Sequence, residues 1–175
     1  GQTITRAQFV TVTARMLGWD TKTTTASGFT DTRGHWAEGA ISAAVQHGAL
    51  DKGGSFRPDA AISREDMAVI LVRALGYQSV AEKAAGYALP FADVKSNKGY
   101  VTVAYDIGLT NGVSATQFAP AASATREQAA TMLVRIYEKY TAKTSWLHGF
   151  YAISSYSQIG LTQSMDAVSL GWSRM

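Results

Sequence analysis

The sequence predicts a mainly α-helical protein built from tandem helix-loop-helix repeats, and three observations carry that expectation. A five-residue phrase centred on an arginine recurs as ITRAQ (4–8), ISRED (62–66) and ATREQ (124–128). Apolar residues at helical spacing follow each copy. A second set of phrases precedes the later two copies: FTDTRGHW (29–36) matches FADVKS (91–96), and FRPD (56–59) matches FAPA (118–121). Units of this size cannot bury an apolar face alone, so stacking them is how they form a core.

The elements follow in order. Thr5-x-x-Gln8 fits a capping box, in which the Thr hydroxyl takes the N3 amide and the Gln reaches back. The stripe Phe9, Val12, Met16, Leu17 then predicts a helix closed by Gly18. Trp36, Ile41 and Val45 predict a second helix, ending at Gly48. A glycine-rich loop and an F-x-P turn lead to Ser63-x-x-Asp66, a looser capping box. Met67, Ile70, Leu71, Ala74 and Leu75 make the next stripe, closed by Gly76. The last unit repeats the scheme: Val101 and Tyr105 ending at Gly108, then Thr125-x-x-Gln128 with Ala129, Met132, Leu133 and Ile136. That final helix runs past Tyr137 toward Tyr140 with no terminal glycine. The first unit contributes only its last helix, so two and a half units are expected.

Capping does not explain the repeated arginine. At N1 a cation faces the positive end of the helix dipole, which costs about 0.3–1 kcal/mol. Two readings are open. Helix-terminal amides and a guanidinium together make a site for a carboxylate or phosphate. Alternatively, the arginines pair with Asp31 or Asp93 and order the loops. A ligand arginine should be removable without loss of folding, whereas a strut should not.

Composition narrows the classes. Apolar residues at 46% and charged residues at 17% describe globular material rather than a disordered chain. No apolar run approaches the roughly 18 residues of a membrane span, so no membrane insertion is expected. No secretory leader is visible, and the opening GQTITRAQ reads as an already processed or excised piece. Cysteine is absent, which removes disulfides and thiol catalysis, and His35, His47 and His148 are too dispersed for zinc. No metal or cofactor is expected. The net charge of +3, without Lys/Arg runs, argues against nucleic acid and fits a few cations meeting a small anion. After Lys143 the character changes: GFYAIS (149–154) and DAVSLGWS (166–173) read as two buried strands with a polar connection.

The series FTDTRGHWA…FRPDAAISRED closely resembles the S-layer homology (SLH) repeat, whose signature is an F-x-D…W segment, a G…F-x-P segment and a terminal T-R-A-E-like motif. The resemblance covers roughly residues 1–137. It implies a partial first repeat over 1–19, a second over 29–77 and a third over 91–138, arranged with pseudo-threefold symmetry. It also implies a secreted protein at the bacterial cell surface or wall. There it would be anchored non-covalently through a secondary cell wall polysaccharide, often one ending in a pyruvylated sugar. The family's ligand positions fall on Arg6, Asp31, Trp36, Arg64, Asp93 and Arg126. In those roles Arg takes a carboxylate bidentately, an aromatic face covers a sugar ring and Asp accepts hydroxyls. The third copy departs at the Trp position, which holds Ser96, with Tyr100 one turn later as a candidate substitute. Unequal grooves are therefore expected, the Asp31/Trp36 neighbourhood being the most complete. Trp36 also begins an apolar stripe, so core packing and ligand stacking both stand for it.

The tail resembles the opening strands of a family 18-type glycoside hydrolase. This implies a linker over 139–146 and the start of such a domain over 147–175. A barrel of that kind needs about 250 residues. The family's D-x-x-D-x-D-x-E motif is absent and Asp166 is the tail's one acid, so no catalytic carboxylate pair forms in this chain. An enzymatic parent protein stays open, as does a helical protein-interaction module if the arginines are internally paired. The exposed strand edges of the tail also suggest self-association.

Overall fold

The structure, a computed structural model, describes residues 1–22, 26–141, 148–152 and 167–171. The chain divides into two units, Gly1–Glu138 and Lys139–Met175. The first unit is helical: α1 (Arg6–Met16), α2 (Glu38–Gln46), α3 (Arg64–Ala74), α4 (Gln78–Ala84), α5 (Lys98–Asp106) and α6, which begins there and runs Arg126–Thr141. The mainly helical expectation is met, and each phrase arginine opens a helix.

A closed ring of backbone hydrogen bonds organises this unit. The Ile4 amide donates to the Ala124 carbonyl, Ala124 to Ile62, and Ile62 back to Ile4, at 3.1, 2.8 and 3.0 Å. Single antiparallel bridges Thr3–Thr125, Thr5–Ala61 and Ser63–Ser123 flank it in the same cyclic order. The segments before α1, α3 and α6 therefore meet around one axis, giving the pseudo-threefold arrangement. Ile4, Ile62 and Ala124 are buried at its centre.

Local signals set the helix ends. Thr5 Oγ1 accepts from the Gln8 amide at 3.2 Å while Gln8 Oε1 accepts from the Thr5 amide at 3.1 Å, and Thr125 and Gln128 repeat this pair. Ser63 Oγ accepts from the Asp66 amide, but the Asp66 carboxylate turns elsewhere. At the C-termini, Gly18, Gly48, Gly76 and Gly108 take left-handed φ values of 70–78°. In each case the glycine and the residue after it return amides to the last turn, as in Trp19 to Ala14 and Tyr77 to Val72.

The stripes pack as one core through Phe9, Ile41, Met67, Leu71, Val101 and Ile136. Three expected stripe members point out: Val12 is 45% exposed, Tyr105 37%, and Trp36, which precedes α2, 62%. The helix α4 was not foreseen. It packs on α5, where a Cβ at Gly99 would fall 1.8 Å from the Ala81 carbonyl oxygen. Gly39 in α2 is equally close to the Thr21 carbonyl. The linkers between repeats thus lie against the start of the following helix, and glycine lets the backbones meet.

In the second unit β1 (His148–Ala152) and β2 (Ala167–Gly171) pair in parallel, with His148 opposite Ala167 and Ala152 opposite Gly171. The two expected strands are present. Their polar connection, Asp166 and the strands' side chains lie outside the described residues. Of the expected linker, 139–141 continue α6 and 142–146 lie outside the described residues.

Gly99→Ala should destabilise the protein by about 1–3 kcal/mol, because backbone must shift to admit the methyl group. Gly86→Ala, at an exposed glycine with open space around it, should stay within about 0.5 kcal/mol. Urea denaturation of both variants measures the difference.

Candidate ligand grooves

The F-x-P turns come first, because they hold everything else. Asp31 receives the Phe56 amide at 2.8 Å, the Arg57 amide at 2.7 Å and the Ser55 hydroxyl at 2.6 Å. Asp93 receives the Phe118 and Ala119 amides at 2.9 and 2.7 Å. The middle residue of each turn is left-handed although it is not glycine: Arg57 at φ 54° and Ala119 at φ 58°. A carboxylate taking two successive amides compensates that strain. The Ser55 hydroxyl and then the Phe56 amide hold the Asp31 carboxyl down at about 2. Asp93 is lowered too, foremost by the Phe118 amide.

The repeated arginines grip the same turns from the neighbouring helix. Arg6 Nε donates to the Phe56 carbonyl at 2.8 Å, and its guanidinium lies 4.9 Å from the Phe56 ring centroid. Arg64 does the same to Phe118, at 2.8 and 4.7 Å. The helix-terminal amides are not free either. Arg6 and Ala7 donate to the Ala60 and Pro58 carbonyls, and Arg64 and Glu65 to Ala122 and Pro120. Anion capture by bare helix amides is therefore corrected: those donors close the ring and the turns. Ion pairing to Asp31 or Asp93 is corrected as well, since Arg6 pairs with Asp66 and Arg64 pairs with no carboxylate among the described residues.

Among the described residues three grooves are each opened by one repeated arginine. The first, about 310 Å³, is lined by Arg6, Asp51, Asp66, Ile70 and Arg73 among others. Arg6 Nη1 meets Asp66 at 2.5 Å and Arg73 Nη1 meets Asp51 at 2.6 Å. Arg73 also donates to the Tyr100 hydroxyl at 3.3 Å and lies 5.3 Å from that ring. Burial works against the Arg73 charge, but the Asp51 and Tyr100 bonds hold its guanidinium above the ordinary value. The second groove, about 230 Å³, is lined by Arg64, Asn111, Gln128, Thr131, Met132 and Arg135 among others. Here Arg64 Nη2 donates to the Asn111 carbonyl at 2.8 Å and Arg135 Nη1 to the Leu109 carbonyl at 3.3 Å. Burial pushes the Arg64 guanidinium below its ordinary value, with the Asp93 charge opposing. The third, about 340 Å³, is lined mainly by apolar side chains with Gln8 and Arg126. Among the described residues the Arg126 side chain forms no hydrogen bond or ion pair.

The family model of the S-layer homology domain matches residues 28–68 and 90–130. Those segments are two S-layer homology repeats. An amylopullulanase of Thermoanaerobacterium thermosulfurigenes is 34% identical over 145 residues, 79% of this chain and 8% of the relative. The surface-layer 125 kDa protein of Lysinibacillus sphaericus is 33% identical over 108 residues, 59% of this chain and 9% of that protein. An S-layer protein of Bacillus thuringiensis subsp. finitimus is 23% identical over 159 residues, 89% of this chain and 19% of the relative. The chain spans less than a fifth of each of these relatives. The comparisons give no support to the tail's resemblance to a family 18-type glycoside hydrolase.

The expected site residues separate. Arg6, Arg64 and Arg126 open three different grooves. Asp31 and Asp93 lie behind them, committed to the F-x-P turns, and line none of the three. Trp36 is exposed, its ring tilted against His35 at 5.3 Å, so core packing is excluded for it. Tyr100 is no substitute for Trp36, because it is buried in α5. The residues missed were Arg73 and Arg135, with Asp51 and Asn111 opposite them. The signal was present: an arginine stands nine residues after each phrase arginine, at 15, 73 and 135.

Arg64→Ala should cost about 1–3 kcal/mol of stability, since it strips the Phe118 and Asn111 carbonyls of their donor. Arg126→Ala should stay within about 0.5 kcal/mol. Thermal denaturation ranks the two. Asp31 adds a pH signature. Its folded-state pKa lies below the ordinary 3.8, so its stabilisation is full above a pH of about 4 and is lost as pH falls toward about 2. The stability gap between the parent protein and Asp31→Asn should close across that window.

Proposed function

We propose that this chain anchors an exported protein non-covalently to the bacterial cell wall, with its grooves holding an anionic, pyruvylated unit of a secondary wall polysaccharide. The observation that carries this reading is the pair of S-layer homology repeats whose phrase arginines, Arg64 and Arg126, each open a groove between neighbouring helices. Two of the similar proteins are a surface-layer protein and an S-layer protein, and that supports a place at the cell surface. No helix among the described residues is long and apolar enough to cross a membrane. Arginine suits the task, since its planar fork matches a carboxylate. Trp36 lines none of the three grooves, but its exposed ring offers an aromatic face for a sugar. Asp31 and Asp93 act in this reading by holding the turns on which the arginines rest.

The internal ion pairs of Arg6 and Arg73 favour a second reading, a helical module that binds protein. Wall sacculi separate the two. The chain should sediment with purified sacculi and stay in solution once their non-peptidoglycan polymer has been extracted. Retention on extracted sacculi, or no binding to intact ones, overturns the anchoring reading.

A further inference from the structure

The first two grooves are built from equivalent positions, yet their charges differ. Arg6 and Arg64 correspond, as do Arg73 and Arg135, so each groove carries two guanidinium groups. Opposite them the repeats diverge. Asp66 in the first groove becomes Gln128 in the second, and Asp51 becomes Asn111. The first groove therefore holds two cations and two carboxylates, and both cations are in ion pairs. Among the described residues the second holds two cations and no carboxylate.

We infer that the groove of Arg64 and Arg135 is the one that takes the carboxylate of the anionic sugar. In the groove of Arg6 and Arg73, Asp66 and Asp51 occupy the guanidinium groups and exclude that carboxylate. This rests on the anchoring reading and goes beyond it by assigning selectivity to particular side chains.

Three features support the assignment. Arg64 is only 7% exposed, and a buried cation without an ionic partner is unfavourable until an anion reaches it. It spends two N–H groups on the Phe118 and Asn111 carbonyls, and a guanidinium has five, so donors remain for a carboxylate. The carboxylate whose field reaches Arg64, Asp93, is held by the Phe118 and Ala119 amides and forms no ion pair with it. In the first groove an incoming anion must first displace Asp66 from Arg6. That aspartate is half-buried and less screened than Asp51, which makes it the stronger competitor.

The test titrates the full chain at neutral pH with methyl 4,6-O-(1-carboxyethylidene)-β-D-mannopyranoside, a pyruvylated sugar. Calorimetry gives the stoichiometry, and the guanidinium Nε–H resonances show which arginines respond. We expect one site, with shifts at Arg64 and Arg135 and none at Arg6 and Arg73. Arg135→Gln, a change at a partly exposed side chain, should weaken binding about tenfold or more. The double variant Asp51→Asn with Asp66→Asn should gain a second site, with new shifts at Arg6 and Arg73. Two equal sites in the parent protein, no binding of the sugar, or no gained site in the folded double variant would overturn the inference. Sacculi binding measured in parallel keeps the readings apart: sacculi bound by a parent protein with two equal sites would leave anchoring standing and remove only the selectivity.

Discussion

Ile4, Ile62 and Ala124 pass one backbone hydrogen bond each around a closed ring, and most of this unit follows from that closure. The three segments are too short to be strands, and each makes only single bridges to its neighbours. Their value lies in position. Each bonded residue stands two places before a helix, so closing the ring sets the origins of α1, α3 and α6 around one axis. Because the ring joins residue 4 to residue 124, closing it carries the entropy cost of long loops, which the buried core it completes offsets.

The ring explains why three phrases travel together in the sequence. An F-x-P turn with a left-handed middle residue is strained alone. The Asp of F-x-D relieves it through two amides, and the arginine of the neighbouring helix relieves it through the Phe carbonyl and ring face. The arginine thus turns away from its own helix dipole toward an aromatic ring and a carbonyl. Its mismatch with the N-terminus is small beside a charge-assisted hydrogen bond of about 1.5–3 kcal/mol. Holding the turn and lining the groove are then properties of one side chain.

The parts of this unit governed by short-range rules were legible in the sequence. Capping boxes at Thr5 and Thr125, glycine caps at Gly18 and Gly76, and the apolar stripes depend on neighbours within one or two turns. What could not be read depends on partners far along the chain. Asp66 was expected only to cap its own helix, and its ion pair with Arg6 spans 60 residues. Trp36 satisfied an apolar spacing but lies before the first turn of α2, so the spacing carried no burial. The helix α4 has no counterpart in the first linker among the described residues, and a repeat pattern is blind to what only one copy contains. The arginines at 73 and 135 were visible as a register but had no chemistry to announce them until the fold placed them across from the phrase arginines.

A substitution between near-equivalent capping residues therefore carries an electrostatic consequence. Gln8 and Gln128 are long enough to reach back to their own N-cap amides, and that bond uses the side chain locally. Asp66 has one methylene fewer; its amide is capped by Ser63, while its carboxylate goes across to Arg6. As helix caps the two residue types differ by little. Across the groove they differ by a full charge next to a guanidinium. Repeats that look interchangeable by fold are then distinguished by which residue follows the arginine two places later, and the ring lets them diverge because no groove shares its arginines with another.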